Sequence, residues 1–127
     1  AIERSISLVD AVEIGTNFDA ELKPELIASI FSTSSPMHDG AVLIKDGRIF
    51  AAGCFLPLTN STGIEKTLGT RHRAAIGLAE VTDAVVIVVS EEQRQMSVAV
   101  DGNLIRSLDG PELRKTLYEI FGGKGKK

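Results

Sequence analysis

Three short polar clusters hold the side chains of this sequence that could do chemistry. His38-Asp39-Gly40 stands directly before a run of β-type residues, and Arg71-His72-Arg73 stands at the start of a predicted helix. Ser90-Glu91-Glu92 directly follows the longest apolar run. Together they offer carboxylate, imidazole and guanidinium groups, which is the set that metal-assisted phosphoryl chemistry uses.

The arginine cluster indicates an anion-binding site. A helix N-terminus has free backbone N–H groups and the positive end of the helix dipole, so cations are unfavourable there unless an anion supplies the opposite charge. The planar donor fork of Arg71 and Arg73 suits phosphate, and Gly69 lets the backbone come close to a ligand. The alternative is a set of surface ion pairs with nearby carboxylates.

The His38-Asp39 pair offers a base and a metal ligand. Asp39 could take a proton from a hydroxyl or hold a metal, and His38 could bind a divalent cation. The alternative is turn chemistry, because Asp-Gly pairs are common in tight turns. Two further pairs, Asp46-Gly47 and Asp101-Gly102, stand between β-type runs and predict hairpins.

The acidic cluster follows the predicted central strand. Carboxyl ends of such strands often carry ligand sites. Here a glutamate could bind a hard cation, and the Ser90 hydroxyl could bond a phosphate oxygen. The alternative is a solvated acidic loop, because residues 91–95 are all polar.

The elements that must position these clusters mix hairpins with helices. Hydrophobic periodicity and turn residues predict helices over 24–31, 72–81 and 111–121, hairpins of 41–45 with 48–55 and of 96–100 with 103–105, and a strand over 84–89 that is buried on both faces. Such a set is typical of an α/β domain with a mixed central sheet flanked by helices. Residues 1–19 fit neither period.

Length and composition exclude several classes of protein. A chain of 127 residues suits one domain, and its net charge of -3 argues against sequence-independent binding to nucleic acid. The longest apolar run, at 84–89, is too short to span a bilayer. The single cysteine, Cys54, allows no intrachain disulfide and is predicted to lie in the core. No P-loop or dinucleotide glycine pattern is present.

Four segments in order resemble the diadenylate cyclase family. Residues 36–42 and 68–75 look like its DGA and RHR motifs, and residues 55–58 and 89–92 match it in order and spacing. The likeness covers nearly the whole chain. It is closest to the bacterial branch that carries an N-terminal membrane anchor, and it implies the same α/β fold.

The resemblance also implies a reaction. Two ATP-loaded domains face each other as a homodimer and join their nucleotides into cyclic di-AMP, releasing two pyrophosphates, with Mg, Mn or Co as the metal. Asp39 would activate the 3′-hydroxyl, and Gly40 would let the nucleotide come close. The other implied roles are metal binding by His38 and Glu92, phosphate contacts by Arg71, His72, Arg73 and Ser90, with Glu91 also at the substrate, and adenine contacts by Thr70, Phe55 and the Leu56 backbone.

The resemblance further implies a domain over residues 1–121 that is truncated at its N-terminus, and the glycine-rich, basic composition of residues 122–127 predicts a flexible tail. The whole protein would be anchored on the cytoplasmic side of the bacterial membrane. Its partners by family analogy would be a regulatory membrane protein and phosphoglucosamine mutase. One departure is Phe55, which stands where anchored relatives often carry Tyr, so one hydroxyl contact is missing.

Two other functions stay open. A metal-dependent phosphohydrolase could use His38, Asp39 and Glu92 as ligands, although two-metal sites usually contain more donors than a chain with two histidines offers. The second open function is that of a nucleotide-binding sensor without catalysis. It would not need the carboxylate of Asp39 at a sugar hydroxyl.

Overall fold

Six strands and three helices build one α/β domain, in a computed structural model that describes residues 1–59, 69–90 and 95–122. The elements in chain order are β1 Thr16–Glu21, α1 Pro24–Ile30, β2 Ala41–Lys45, β3 Arg48–Cys54, α2 Thr70–Val81, β4 Val86–Ser90, β5 Gln95–Val100, β6 Asn103–Leu108 and α3 Gly110–Ile120.

The strands form two three-stranded antiparallel sheets, in the orders β1-β3-β2 and β4-β5-β6. The first residues of the chain join them. Ile2 exchanges backbone hydrogen bonds of 2.8 and 3.1 Å with Val85, while Ala1 and Glu3 pair with Ile44 on the other side, both at 2.8 Å. The result is one continuous central sheet with both parallel and antiparallel pairing, which confirms the predicted mixed sheet.

This join fixes the strand directions. Ile2 pairs parallel with Ile44 next to it in β2 and antiparallel with Val85 before β4, so β4 runs opposite to β2 and in the same direction as β3. The start of β2 and the ends of β3, β4 and β6 therefore lie along one border of the sheet, which we call the site edge. Since α2 leads into β4 through a short connection, the start of α2 lies at the same border.

Helices cover both faces of the sheet. Successive strand residues point to opposite faces, and β4 shows this directly. Val86 and Val88 belong to the core cluster that holds Ala75 and Leu78 of α2, whereas Val85 before the strand belongs to the cluster that holds Leu117 of α3. The sheet therefore packs against a hydrophobic cluster on each face, and this packing fixes the position of the site edge.

Most of the predicted elements are confirmed. Asp46 and Gly47, and likewise Asp101 and Gly102, have positive φ values between 53° and 79°, as two-residue hairpin turns require. Helix α2 begins two residues before the predicted His72, at Thr70.

Two element predictions need correction. Strand β1 was not predicted, because only half-buried Phe18 and Ala20 alternate within Thr16–Glu21. The strand predicted to be buried on both faces is buried at Val86 and Val88 but leaves Val89 53% exposed, since it ends at the border of the sheet. Cys54 is buried, as predicted.

The described residues contain no helix long and apolar enough to cross a membrane. Of the predicted tail, residues 123–127 lie outside the described part of the chain.

The contact between α2 and the segment after β3 can be tested at Gly77. A Cβ at this position would lie 1.9 Å from the Pro57 carbonyl oxygen. Because this oxygen belongs to the backbone, the added methyl group could fit only if the backbone of the helix or of the segment moved. We expect Gly77→Ala to lower the free energy of unfolding by about 1–3 kcal/mol or more, measured by urea denaturation. The matched control is Gly110→Ala, where a Cβ would meet nothing within 4 Å. Equal stability of the two variants would contradict this packing.

Candidate functional site

The loop before β2 fixes the tautomer of His38. Its ring Nδ1 lies 2.7 Å from the Ser35 carbonyl oxygen, which can only accept, so Nδ1 carries the proton. The lone pair of Nε2 is then available to a ligand. A second hydrogen bond of this kind is how proteins orient metal-binding histidines, so the predicted role of His38 as a cation ligand fits its surroundings.

Glycine holds Asp39 against the end of β3. Gly40 has φ 151°, and a Cβ there would lie 2.8 Å from the Gly53 carbonyl carbon. The next residue, Ala41, pairs with Cys54. Asp39 itself is exposed and does not have the positive φ that the hairpin residue Asp46 has. The pair 39–40 is therefore not another hairpin turn, and its carboxylate is available at the site edge.

The segment after β3 connects this loop to α2. Phe55 exchanges two backbone hydrogen bonds of 2.9 Å with Glu13, which fixes the backbone while the aromatic side chain stays 57% exposed. Leu56 is half-buried against the core. The Thr59 N–H then donates to the Arg73 carbonyl oxygen at 3.1 Å. One short stretch of backbone therefore links the Asp39 loop with the first turn of α2.

The first turn of α2 lacks the usual groups that neutralise a helix start. Its N-cap, Gly69, offers no side-chain cap, and the turn holds no acidic residue. Thr70 and Arg71 are exposed, and Arg73 is half-buried. Neither arginine forms an ion pair with any residue that the structure describes. Within the described chain, the surface ion pairs considered as the alternative are therefore not formed.

Arg106 on β6 lies within electrostatic reach of His72. Burial lowers the pKa of His72 below its ordinary value of 6.5, and the charge of Arg106 on β6 lowers it further. Arg106 lies on β6 one residue beyond the strand predicted over 103–105.

The third predicted cluster is described only at Ser90. This residue ends β4 at the site edge, pairs with Gln95 and is half-buried. Glu91 and Glu92 lie outside the described residues. Among residues 1–59, 69–90 and 95–122, no group of three His, Cys, Asp or Glu side chains could hold a metal ion. His38 would therefore need donors from elsewhere to complete a metal site.

Every predicted site residue that the structure describes lies at or next to the site edge. The loop at 38–40, the segment at 55–56, the first turn of α2 and Ser90 come from four separate parts of the chain. They bring a carboxylate, an imidazole with a free nitrogen, exposed cations and an exposed aromatic ring to one border. This arrangement can bind a phosphorylated compound and accept a proton beside it.

The comparisons with known proteins all point to one family. The family model for DisA bacterial checkpoint controller nucleotide-binding (DAC) matches residues 1–104. The cyclic di-AMP synthase CdaA of Bacillus subtilis is 47% identical over 120 residues, which is 94% of this chain and 44% of that protein. The chain thus spans less than half of that relative's length.

Two solved structures resemble the fold. DacA from Staphylococcus aureus, a N166C/T172C double mutant, has a TM-score of 0.88 and 41% identity, covering 94% of this chain and 80% of that one. A hypothetical membrane spanning protein from Bacillus cereus has a TM-score of 0.82 and 46% identity, covering 85% and 53%. Identity at this level shows common descent as well as a common fold.

The lowered pKa of His72 predicts a pH dependence of stability. The folded chain disfavours the imidazolium, so the unfolded chain binds more protons just below pH 6.5. The contribution of His72 is therefore fully present above that pH and is lost as the pH falls through the folded-state pKa. Urea denaturation from pH 7.5 to 5 should show this loss, and His72→Gln should reduce it. Titration of the His72 ring by NMR with a midpoint at or above 6.5 would contradict it.

Proposed function

The chain belongs to the DAC nucleotide-binding family, and on that premise we propose that it is the catalytic domain of a diadenylate cyclase. It joins two ATP molecules into cyclic di-AMP and releases two pyrophosphates. The observation that carries the proposal is the common edge: an exposed carboxylate on a glycine-held loop shares it with an uncapped helix start that bears the exposed Arg71 and the half-buried Arg73. A reaction that moves a phosphoryl group onto a hydroxyl needs both.

In the proposed reaction, Asp39 accepts the proton of the 3′-hydroxyl of one nucleotide. That oxygen attacks the α-phosphorus of the other nucleotide, and the bond to the β-phosphate oxygen breaks, so pyrophosphate leaves. Arg71 and Arg73, with the free N–H groups of the helix start, stabilise the negative charge on the phosphates. A second step with the roles of the two nucleotides exchanged closes the ring and releases the second pyrophosphate.

The metal we propose is a divalent cation, with Mg, Mn and Co as candidates. His38 would be one ligand through its free Nε2, and Glu92, outside the described residues, would be another. Such an ion, when bound, neutralises phosphate charge and makes the leaving group better. The chain's own residues supply the rest: position of the nucleotide, proton transfer and charge stabilisation.

Adenine recognition would fall to the segment after β3. The exposed ring of Phe55 offers a stacking surface. The Leu56 backbone and the exposed Thr70 lie on elements that the Thr59–Arg73 hydrogen bond joins, which supports a shared base pocket. Ser90 and His72 would complete the phosphate contacts, and Glu91, outside the described residues, would also lie at the substrate.

We propose that catalysis requires a homodimer, because each nucleotide supplies the hydroxyl that attacks the other. The whole protein would be anchored to the cytoplasmic side of the membrane, and the similar Bacillus cereus structure is named a hypothetical membrane spanning protein.

One assay separates this function from the other two. Incubation with ATP and Mn²⁺, followed by chromatography of the nucleotides, gives cyclic di-AMP and pyrophosphate for a cyclase. AMP or ADP with phosphate would indicate a hydrolase. Unchanged ATP with measurable binding would indicate a sensor. The hydrolase is disfavoured because the chain has two histidines, fewer than two-metal sites usually use.

Replacing the carboxylate tests the role of Asp39. We expect Asp39→Asn to lower cyclic di-AMP production at least 100-fold, roughly the contribution of a general base, while ATP affinity stays close to that of the unmodified chain. The reason is that the amide cannot take the proton but keeps the size of the side chain. Initial rates by chromatography and ATP binding by calorimetry measure the two effects.

The matched control for this variant is Asp46→Asn. It makes the same change in another Asp-Gly pair, at a hairpin turn on the opposite border of the sheet, where Asn tolerates the positive φ of 53°. We expect normal activity from it. Normal turnover by Asp39→Asn would remove that residue from its proposed role.

A dimeric reaction also predicts an effect of dilution. Because two loaded protomers must meet, product formed per milligram of protein should fall as the concentration drops below the dimer dissociation constant. Sedimentation at the same concentrations gives the dimer fraction, which should parallel the specific activity. Constant specific activity across a range in which the protein becomes monomeric would rule the dimer out.

A further inference from the structure

We propose that Ser35 is a positioning residue for His38. Its hydroxyl holds its own carbonyl group where that carbonyl accepts the His38 Nδ1–H, so that Nε2 keeps its lone pair for the divalent cation of the proposed reaction. This inference rests on the proposed function. In the sequence, Ser35 is one of four hydroxyl residues in a row before Pro36, and only its contacts distinguish it from the other three.

Three hydrogen bonds from the residues that follow converge on Ser35. The Met37 N–H donates to the Ser35 hydroxyl oxygen at 3.1 Å. The Ser35 carbonyl oxygen lies 2.7 Å from the ring Nδ1 of His38 and 3.3 Å from its backbone N–H. A carbonyl oxygen has two lone pairs and can accept both. The direction of this one carbonyl group therefore sets the orientation of the His38 ring relative to its own backbone.

Met37 gives this arrangement a fixed point. Its side chain packs against the core cluster that holds Val42 and Ile49. A Cβ on Gly53 would lie 3.7 Å from the Met37 Cα, so the backbone of Met37 lies directly against β3. The hydrogen bond from the Met37 N–H to the Ser35 hydroxyl thus ties the Ser35 carbonyl to a position that the core determines.

The hydroxyl also keeps the Ser35 carbonyl free for His38. Serine hydroxyls often bond a backbone N–H two residues further on, and here that N–H belongs to the half-buried Met37. Without the hydroxyl, an acceptor within reach of the same N–H is the Ser35 carbonyl itself, through a three-residue γ-turn. The Met37 N–H would then compete with His38 for one oxygen, and the ring would lose its fixed partner.

A fixed tautomer matters because a cation binds only the nitrogen that carries no proton. A neutral imidazole has its proton on either nitrogen, and the hydrogen bond that one nitrogen makes decides which nitrogen can bind a metal. Partners of this kind also orient the ring, and their loss lowers metal affinity. The hydroxyl of Ser35 therefore acts on the cation through the carbonyl and the ring, without touching the cation itself.

The first measurement uses the metal-free chain. The ¹⁵N NMR signals of histidine rings distinguish a protonated from an unprotonated nitrogen at mildly alkaline pH, where an ordinary imidazole is neutral. We expect the Nδ1–H tautomer of His38 in the unmodified chain and a mixture of both tautomers in Ser35→Ala. Absence from a His38→Gln chain identifies the His38 signals. An Nδ1–H tautomer that is equally fixed in Ser35→Ala would overturn the inference.

The second measurement compares nucleotide affinity with and without the metal. The probe is 3′-deoxyadenosine triphosphate, which lacks the attacking hydroxyl, titrated by calorimetry in Mn²⁺ or in EDTA. We expect Ser35→Ala to weaken binding of the Mn²⁺ complex by about 3- to 10-fold, the size of one neutral hydrogen bond. Affinity for the metal-free nucleotide should stay unchanged. An equal loss under both conditions would show general damage to the loop and would also count against the inference.

Three control variants separate the hydroxyl from the rest of the loop. Ser34→Ala makes the same change one residue earlier, where the exposed hydroxyl bonds to that of Ser32 at 3.0 Å, and should behave like the unmodified chain. Ser35→Thr keeps the hydroxyl and should keep both the tautomer and the affinity. Ser35→Cys keeps the size with a weaker acceptor, and it carries the test if Ser35→Ala does not fold.

Failure of the proposed function gives a different result. If the unmodified chain does not bind the probe with Mn²⁺, the nucleotide site itself is wrong and the inference falls with it. If the probe binds but electron spin echo spectra of the bound Mn²⁺ show no coupling to ¹⁵N-labelled histidine, His38 is not a metal ligand, and the inference falls with that role. If the coupling is present and Ser35→Ala changes neither tautomer nor affinity, only the role of Ser35 is wrong.

Discussion

The backbone hydrogen bonds of the first three residues determine where the proposed site lies. Ile2 bonds to Val85 on one side, and Ala1 and Glu3 bond to Ile44 on the other. This short stretch makes one sheet from two and fixes β4 parallel to β3. The start of β2 and the ends of β3 and β4 consequently share one border, and the polar residues that follow or precede these strands meet there. Any other relative direction would separate the carboxylate from the cations.

Close backbone contacts convert this shared border into a defined arrangement. Gly40 lies against Gly53, and Gly77 on α2 lies against the Pro57 carbonyl, both at distances that a methyl group would not permit. The first contact holds the Asp39 loop on β3, and the second holds α2 on the segment that continues from β3. Because both contacts involve backbone, the position of the Asp39 loop relative to the helix start tolerates little adjustment.

The charge distribution is consistent with a site prepared for a polyanion. Exposed and half-buried cations surround an uncapped helix start, and the neighbouring Arg106 lowers the pKa of His72. Repulsion of this kind costs stability in the free chain. Proteins commonly accept such a cost where a ligand removes it, and in a reaction that gathers phosphate charge the same groups stabilise the transition state.

The sequence by itself determined the helices, both Asp-Gly hairpins, the buried Cys54 and the family, because local turn chemistry, hydrophobic period and ordered motifs are all properties of neighbouring residues. It missed β1, whose alternation is weak, and it ended the last strand at residue 105, whereas β6 continues to Leu108. The sequence also did not decide whether Asp39 and Gly40 form a tight turn. Only the tertiary structure decided these points, because strand direction, the Gly40–Gly53 contact and the approach of β6 to α2 arise from long-range pairing that no local pattern encodes.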